Sequence, residues 1–280
     1  MGYTGMKKDE KSFRIIQYAM VILPAAALGI VAMVCSGVSA ARWGQQAAAV
    51  LVFALLGIVP KRIARRIPAG LWTVFLLLCL AATLLGAEVG GARRWLDLGV
   101  FNVHAAMLLL PAMIILLANV RCFFPLMLCI ASILSMQPDL SQLLAFAAAV
   151  LPLLWRSRDK RVWGMLSVLV LAALGMICIH IPTSIEPVPY SEGVLAMLGE
   201  VSWLMAAAGM LSLAMIPVLW IYRFSKEREV WMLSLGVYYM IIILFGLSGE
   251  YPVPFMGFGL SPIAGYWLAY WFMPLKQNGK

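Results

Sequence analysis

The chain has 280 residues, 64% of them hydrophobic and 12% charged, with a formal net charge of +9. Ordinary soluble domains are about 45–50% apolar and about 25% charged, so the composition excludes a soluble protein and points to an all-α, polytopic integral membrane protein. The basic residues come in short clusters between apolar runs, as in cytoplasmic loops; no nucleic acid is expected as a partner, and membrane lipids are.

In chain order, a charged Lys7-Lys8-Asp9-Glu10-Lys11 segment precedes the first apolar run, with no convincing cleavage site. That run is expected to stay as a membrane helix rather than leave as a signal peptide. Ten apolar segments follow, at 15–36, 46–60, 67–87, 103–120, 122–136, 140–155, 162–181, 198–222, 230–247 and 262–274. A straight span needs about 20 residues, so the second, fifth, sixth and tenth must borrow flanking residues or lie in protein-lined regions. The whole chain, 1–280, reads as a single membrane domain, with 1–13 and 275–280 as tails. Cys35, Cys79, Cys122, Cys129 and Cys178 show no metal-ligand spacing and read as small buried hydrophobes.

Charge supplies the orientation. With the N-terminus inside, 18 of the 21 Lys and Arg fall on the inner side, leaving only Arg42, Arg93 and Arg94 outside. Such a bias argues for an even number of spans and two cytoplasmic tails in a multi-pass membrane protein. On the outer side, polar residues concentrate in three places: 88–102, the turn at Asp139, and 249–261.

Met136-Gln137-Pro138-Asp139-Leu140 places a carboxylate between two apolar runs, at a proline that suits a turn or broken helix end. A carboxylate there is either functional or the N-cap of the next helix. In the first loop, Arg93 and Arg94 beside Trp95 suit either an anion site or an anchor on lipid phosphates. The third loop, read over 247–262, has three prolines and three glycines but is too apolar for water; it reads as re-entrant, lining a cavity or filling one. His104 and His180 read as hydrogen-bonded structural residues.

The three stretches together resemble the SEDS family, named for shape, elongation, division and sporulation. Gly91-Ala92-Arg93-Arg94-Trp95-Leu96-Asp97-Leu98-Gly99 is similar to its Gly-x-Arg-Arg-Trp-x-x-Leu-Gly segment. Gln137-Pro138-Asp139-Leu140 is similar to its Gln-Pro-Asp-Leu-Gly motif, with Ser141 in place of the glycine. Pro252-Val253-Pro254-Phe255-Met256-Gly257-Phe258-Gly259-Leu260-Ser261 is similar to its Pro-x-Pro-Phe-x-Ser-Tyr-Gly-Gly-Ser segment. The resemblance implies a peptidoglycan glycosyltransferase that polymerises lipid II, an undecaprenyl-linked precursor, in cell-wall synthesis for cell shape or division. Its usual partner is a single-pass class B penicillin-binding protein, a transpeptidase. The resemblance also implies Asp139 as the catalytic residue, and Arg93, Arg94, Trp95, Gln137, Pro254, Gly257, Gly259 and Ser261 as substrate-binding positions. The chain departs from the family where Gln-Pro-Ser-Glu and a nearby Lys are usual: it has His104-Ala105-Ala106-Met107 and Leu110. Its outer loop at 181–199 is also shorter.

The chemistry follows from the residue types. A sugar hydroxyl attacking an anomeric carbon needs a base, for which Asp139 is the candidate. A leaving pyrophosphate needs charge neutralisation, which Arg93 and Arg94 or a divalent cation, Mg or Mn, would supply. Two other readings stay open: a non-catalytic SEDS-like scaffold or lipid-linked-precursor binder, and a transporter or flippase.

Overall fold

The computed structural model describes residues 20–56, 67–97, 99, 102–120, 122–156 and 161–273. The two tails and the basic cluster at 61–66 lie outside the described residues.

Eleven helices and one small hairpin make up the described chain. Helix α1 covers Met20–Cys35 and α2 Ala40–Leu56. Helix α3, Ala69–Ala82, tightens into a 3₁₀ turn at Thr83–Leu85. Strands β1 (Trp95–Asp97) and β2 (Asn102–His104) pair antiparallel, with Trp95 opposite His104. Then follow α4 (Ala105–Leu117), α5 (Phe123–Met136), α6 (Leu140–Arg156) and α7 (Arg161–His180). The short α8 (Val194–Val201) leads into α9 (Trp203–Glu227), α10 (Val230–Gly246) and α11 (Leu260–Phe272).

The ten expected segments each hold one long helix, and α8 is an addition. The apolar run that began at 198 is broken at Ser202, whose extended backbone ends α8 and whose hydroxyl accepts the Leu204 N–H to start α9. Similarly, the run at 103–120 starts as strand: His104 belongs to β2, and the helix begins at Ala105.

Among the described residues only α9 is long and apolar enough by itself to cross a membrane. The shorter helices are explained by their surroundings. Helix α4 has 13 residues, about 20 Å at 1.5 Å per residue, and every one except Leu108 is buried. A helix apolar all round belongs at the centre of a bundle, where protein rather than lipid meets its ends. Helices α3, α6, α10 and α11 surround it. Closest are α11 and α4, which Gly265 allows: a Cβ there would strike the Met107 carbonyl. Around this core the outer faces of α2, α3, α7 and α9 expose Leu51, Leu55, Leu71, Phe75, Leu169 and Leu211, an apolar girdle suited to lipid. Cys35, Cys122 and Cys129 lie on exposed surface and only Cys178 is buried, which corrects the reading of all five as interior; all are free thiols.

The hairpin connection, 181–202 and 247–259 come together. Ser184 N donates to Gly90 O at 2.9 Å, and Val253 N and Phe258 N donate to Ser191 O and Tyr190 O, joining these connections into one layer.

Candidate active site

Asp139 sits against the hairpin of that layer, 1% exposed. The turn is built by its flanks: Gln137 N still donates to Ile133 O of α5, and Leu143 N already donates to Asp139 O of α6. The carboxylate caps α6, its Oδ1 accepting from Gln142 N at 3.3 Å and from Ser141 Oγ at 3.0 Å. Its Oδ2 lies 3.1 Å from His104 Nε2. The cap is thus formed, and the same carboxylate also faces a ring nitrogen of β2, 35 positions away.

The hairpin supplies the other contacts. Arg94 donates through Nε to Gln137 O at 3.5 Å and through a terminal nitrogen to Pro138 O, so it clamps the turn from outside. Burial raises the Asp139 pKa, but the His104 contact, the Arg94 charge and the Gln142 N–H outweigh it and hold the carboxyl down at about 2 against an ordinary 3.8. The group is ionised across the physiological range, a ready but weak proton acceptor.

The two arginines diverge. Arg93 faces solvent, donating to Leu84 O at 2.9 Å and lying 3.4 Å from Glu88 Oε2. Each guanidinium has five N–H donors, and the contacts above engage only some. Trp95 meets the edge of the His104 ring at 5.9 Å. Gln137 turns inward as a strut, its amide donating to Leu80 O at 3.2 Å and Thr83 Oγ1 at 2.5 Å, which ties the turn to the end of α3.

The 249–261 segment meets the site through Ser261, whose Oγ accepts the His104 N–H at 2.8 Å, and through Tyr251, which lies in electrostatic reach of Arg94 and Asp139. The rest is packed into the protein: Val253, Pro254, Phe255, Met256 and Gly257 are buried. Gln46 of α2, itself fully buried, donates to Phe255 O and Met256 O and accepts from Gly259 N. Gly257 sits where a Cβ would strike the Ser191 carbonyl. The expected roof over an open cavity at Asp139 is thus a pinned plug beside it, because one amide satisfies the backbone groups that a re-entrant loop leaves unpaired.

Sequence reasoning missed Gln46, the direct contact of His104 with Asp139, and Tyr238, whose buried hydroxyl donates to Gln142 Oε1 at 2.6 Å. Gln45-Gln46 near the start of an apolar run was the available signal for the first. His180, at the exposed end of α7, contacts only Met176 O of its own helix among the described residues. Among the described residues no three His, Cys, Asp or Glu side chains converge on a metal position.

No protein-family model matches the sequence, and no curated protein matches it. Solved structures do. A crystal structure of an Asp-to-Ala variant of the rod shape determining protein RodA from Thermus thermophilus has a TM-score of 0.65 at 18% identity, over 91% of this chain and 95% of that one. RodA from the same organism, without that substitution, gives 0.58 at 19% identity over the same shares. A chain from a structure showing coordination of polymerization and crosslinking by a peptidoglycan synthase complex gives 0.60 at 18% identity, over 91% and 96%. The chain therefore has a SEDS-like fold, that of the polytopic membrane protein RodA.

Proposed function

We propose that this chain of SEDS-like fold is a peptidoglycan glycosyltransferase, polymerising lipid II at the outer face of the cytoplasmic membrane. One observation carries the reading: the hairpin, the Asp139 turn and Ser261 meet at a single ionised carboxylate on the face with few basic residues. In this reading the hairpin face is the outer face and both tails are cytoplasmic, as the distribution of Lys and Arg favours.

Asp139 accepts the proton of the attacking sugar hydroxyl. Oδ1 already receives two protein donors and Oδ2 faces His104 Nε2 at 3.1 Å, which leaves lone pairs for a further hydrogen bond. Arg93, at the exposed rim, and the free donors of Arg94 take the pyrophosphate, whose departure as a stabilised anion needs no acid. Trp95 offers an apolar surface beside the reacting groups. Pro254, Gly257 and Gly259 act through the plug's shape, and Ser261 through the His104 backbone. A divalent cation, if used, would come with the pyrophosphate. The partner is a single-pass class B penicillin-binding protein, a choice supported by the resemblance of the chain to one from a peptidoglycan synthase complex.

A second reading, a non-catalytic scaffold or precursor binder, is favoured by the near-complete burial of Asp139 and its low pKa. Purified protein given lipid II, alone and with the transpeptidase partner, separates the two. Glycan polymer supports the enzyme; saturable lipid II binding without polymer supports the binder; neither would overturn both.

A further inference from the structure

His104 touches more of the site than any other side chain, yet its type is not explained by a cap or by packing alone. Its Nδ1 accepts the Met107 N–H at 3.4 Å, and its Nε2 lies 3.1 Å from Asp139 Oδ2. With Nδ1 an acceptor, the ring hydrogen falls on Nε2, the nitrogen 3.1 Å from Asp139 Oδ2. The ring cannot drift: β2 pairs with β1 at Trp95, Trp95 packs against the ring edge, and the His104 backbone N–H is held by Ser261 Oγ. Oδ1 of Asp139 is taken up by Ser141 and Gln142 on its own helix, so His104 is the contact that fixes Oδ2.

We propose that His104 is the positioning residue of Asp139, its Nε2–H aiming Oδ2 at the incoming hydroxyl while Nδ1 ties that aim to the start of α4. This rests on the polymerase reading for its kinetic consequence but not for its structural one. No proton is transferred from His104; it donates a hydrogen bond to the oxygen that accepts the hydroxyl proton. Loss of the contact leaves burial as the dominant influence on Asp139, so the carboxylate should become easier to protonate. The other titratable groups in electrostatic reach of Asp139 are Arg94 on the hairpin, Tyr238 on α10, Tyr251 in the 249–261 segment and Cys178 on α7, all of which stay in place when His104 is replaced.

Two substitutions divide the ring's functions. His104→Asn keeps an acceptor where Nδ1 stands and is a good N-cap, but is too short to reach Asp139. His104→Gln brings an amide N–H to the place of Nε2 and caps poorly. The experiment measures lipid II polymerisation across pH and, separately, the Asp139 carboxyl titration by infrared difference spectroscopy, its band assigned by its absence in Asp139→Asn. Expected for His104→Asn is a kcat about ten- to hundredfold lower at unchanged KM, with the carboxyl titrating at higher pH; His104→Gln should restore both toward wild type. The opposite pattern, with Asn active and Gln impaired, or wild-type behaviour of both, would overturn the proposal. If the wild type makes no polymer, the polymerase reading falls, and the infrared titrations decide the positioning alone. If the variants do not fold, nitrogen-15 shifts of the wild-type ring decide: hydrogen on Nε2 supports the pair, and hydrogen on Nδ1 alone contradicts it.

Discussion

Asp139 is held by contacts from two elements, α6 and β2, and the contacts are unequal in what they predict. A carboxyl whose folded-state pKa lies near 2, against 3.8 when exposed, stabilises the fold fully above the exposed value and loses that stabilisation as pH falls toward 2. The window is pH 4 to 2, and thermal unfolding in detergent should show a steeper loss there for wild type than for Asp139→Asn. Equal slopes would mean that the carboxylate is not held down. Arg94→Lys should weaken polymerisation and lower the melting temperature, because one ammonium cannot bridge the Gln137 and Pro138 carbonyls as the guanidinium fork does. Arg93→Lys, at the exposed rim, should leave the melting temperature alone and reduce only lipid II affinity. If the two Lys variants prove indistinguishable by melting temperature and lipid II affinity, the division of roles between neighbouring arginines fails. At this scale the sequence identified Asp139 and the arginines by type and place. It did not identify their partners, since His104 and Asp139 are 35 positions apart and only the fold brings them together.

At the scale of elements, the plug at 249–261 depends on α2. Gln46 satisfies two carbonyls and one N–H of a segment that has few backbone partners of its own. Gln46→Leu leaves them unpaired in a buried place, at about 1–3 kcal/mol for each orphaned group, so it should lower stability far more than a surface change. A melting temperature within error of wild type would show that the plug holds itself. Prolines and glycines made this segment visible in the sequence as irregular backbone in an apolar setting. Its burial was not visible, because the amide that permits it lies 209 residues from Phe255. The hairpin was hidden for a different reason: three-residue strands carry no alternating pattern long enough to read. The break at Ser202 was legible as a cap residue, yet the continuous hydrophobicity around it masked the end of α8.

For the whole molecule, hydropathy was enough to recover all ten long helices, since each is apolar either toward lipid or toward the bundle core. Orientation rests on charge alone, and single cysteines introduced at Arg94 and Lys160, in a background without the five native thiols, should label from opposite sides of the membrane. Labelling from one side would remove the topology and with it an outer active site. The fold is shared with RodA over nearly the whole chain, while the proposed reaction rests on one carboxylate. The most direct measurement is therefore the rate of lipid II polymerisation by Asp139→Asn relative to wild type, each with its transpeptidase partner and each shown to bind lipid II. Asn is nearly isosteric and caps α6 about as well but cannot accept the proton, so the account predicts a loss of about a hundredfold or more with binding retained. A near-wild-type rate from Asp139→Asn would contradict it.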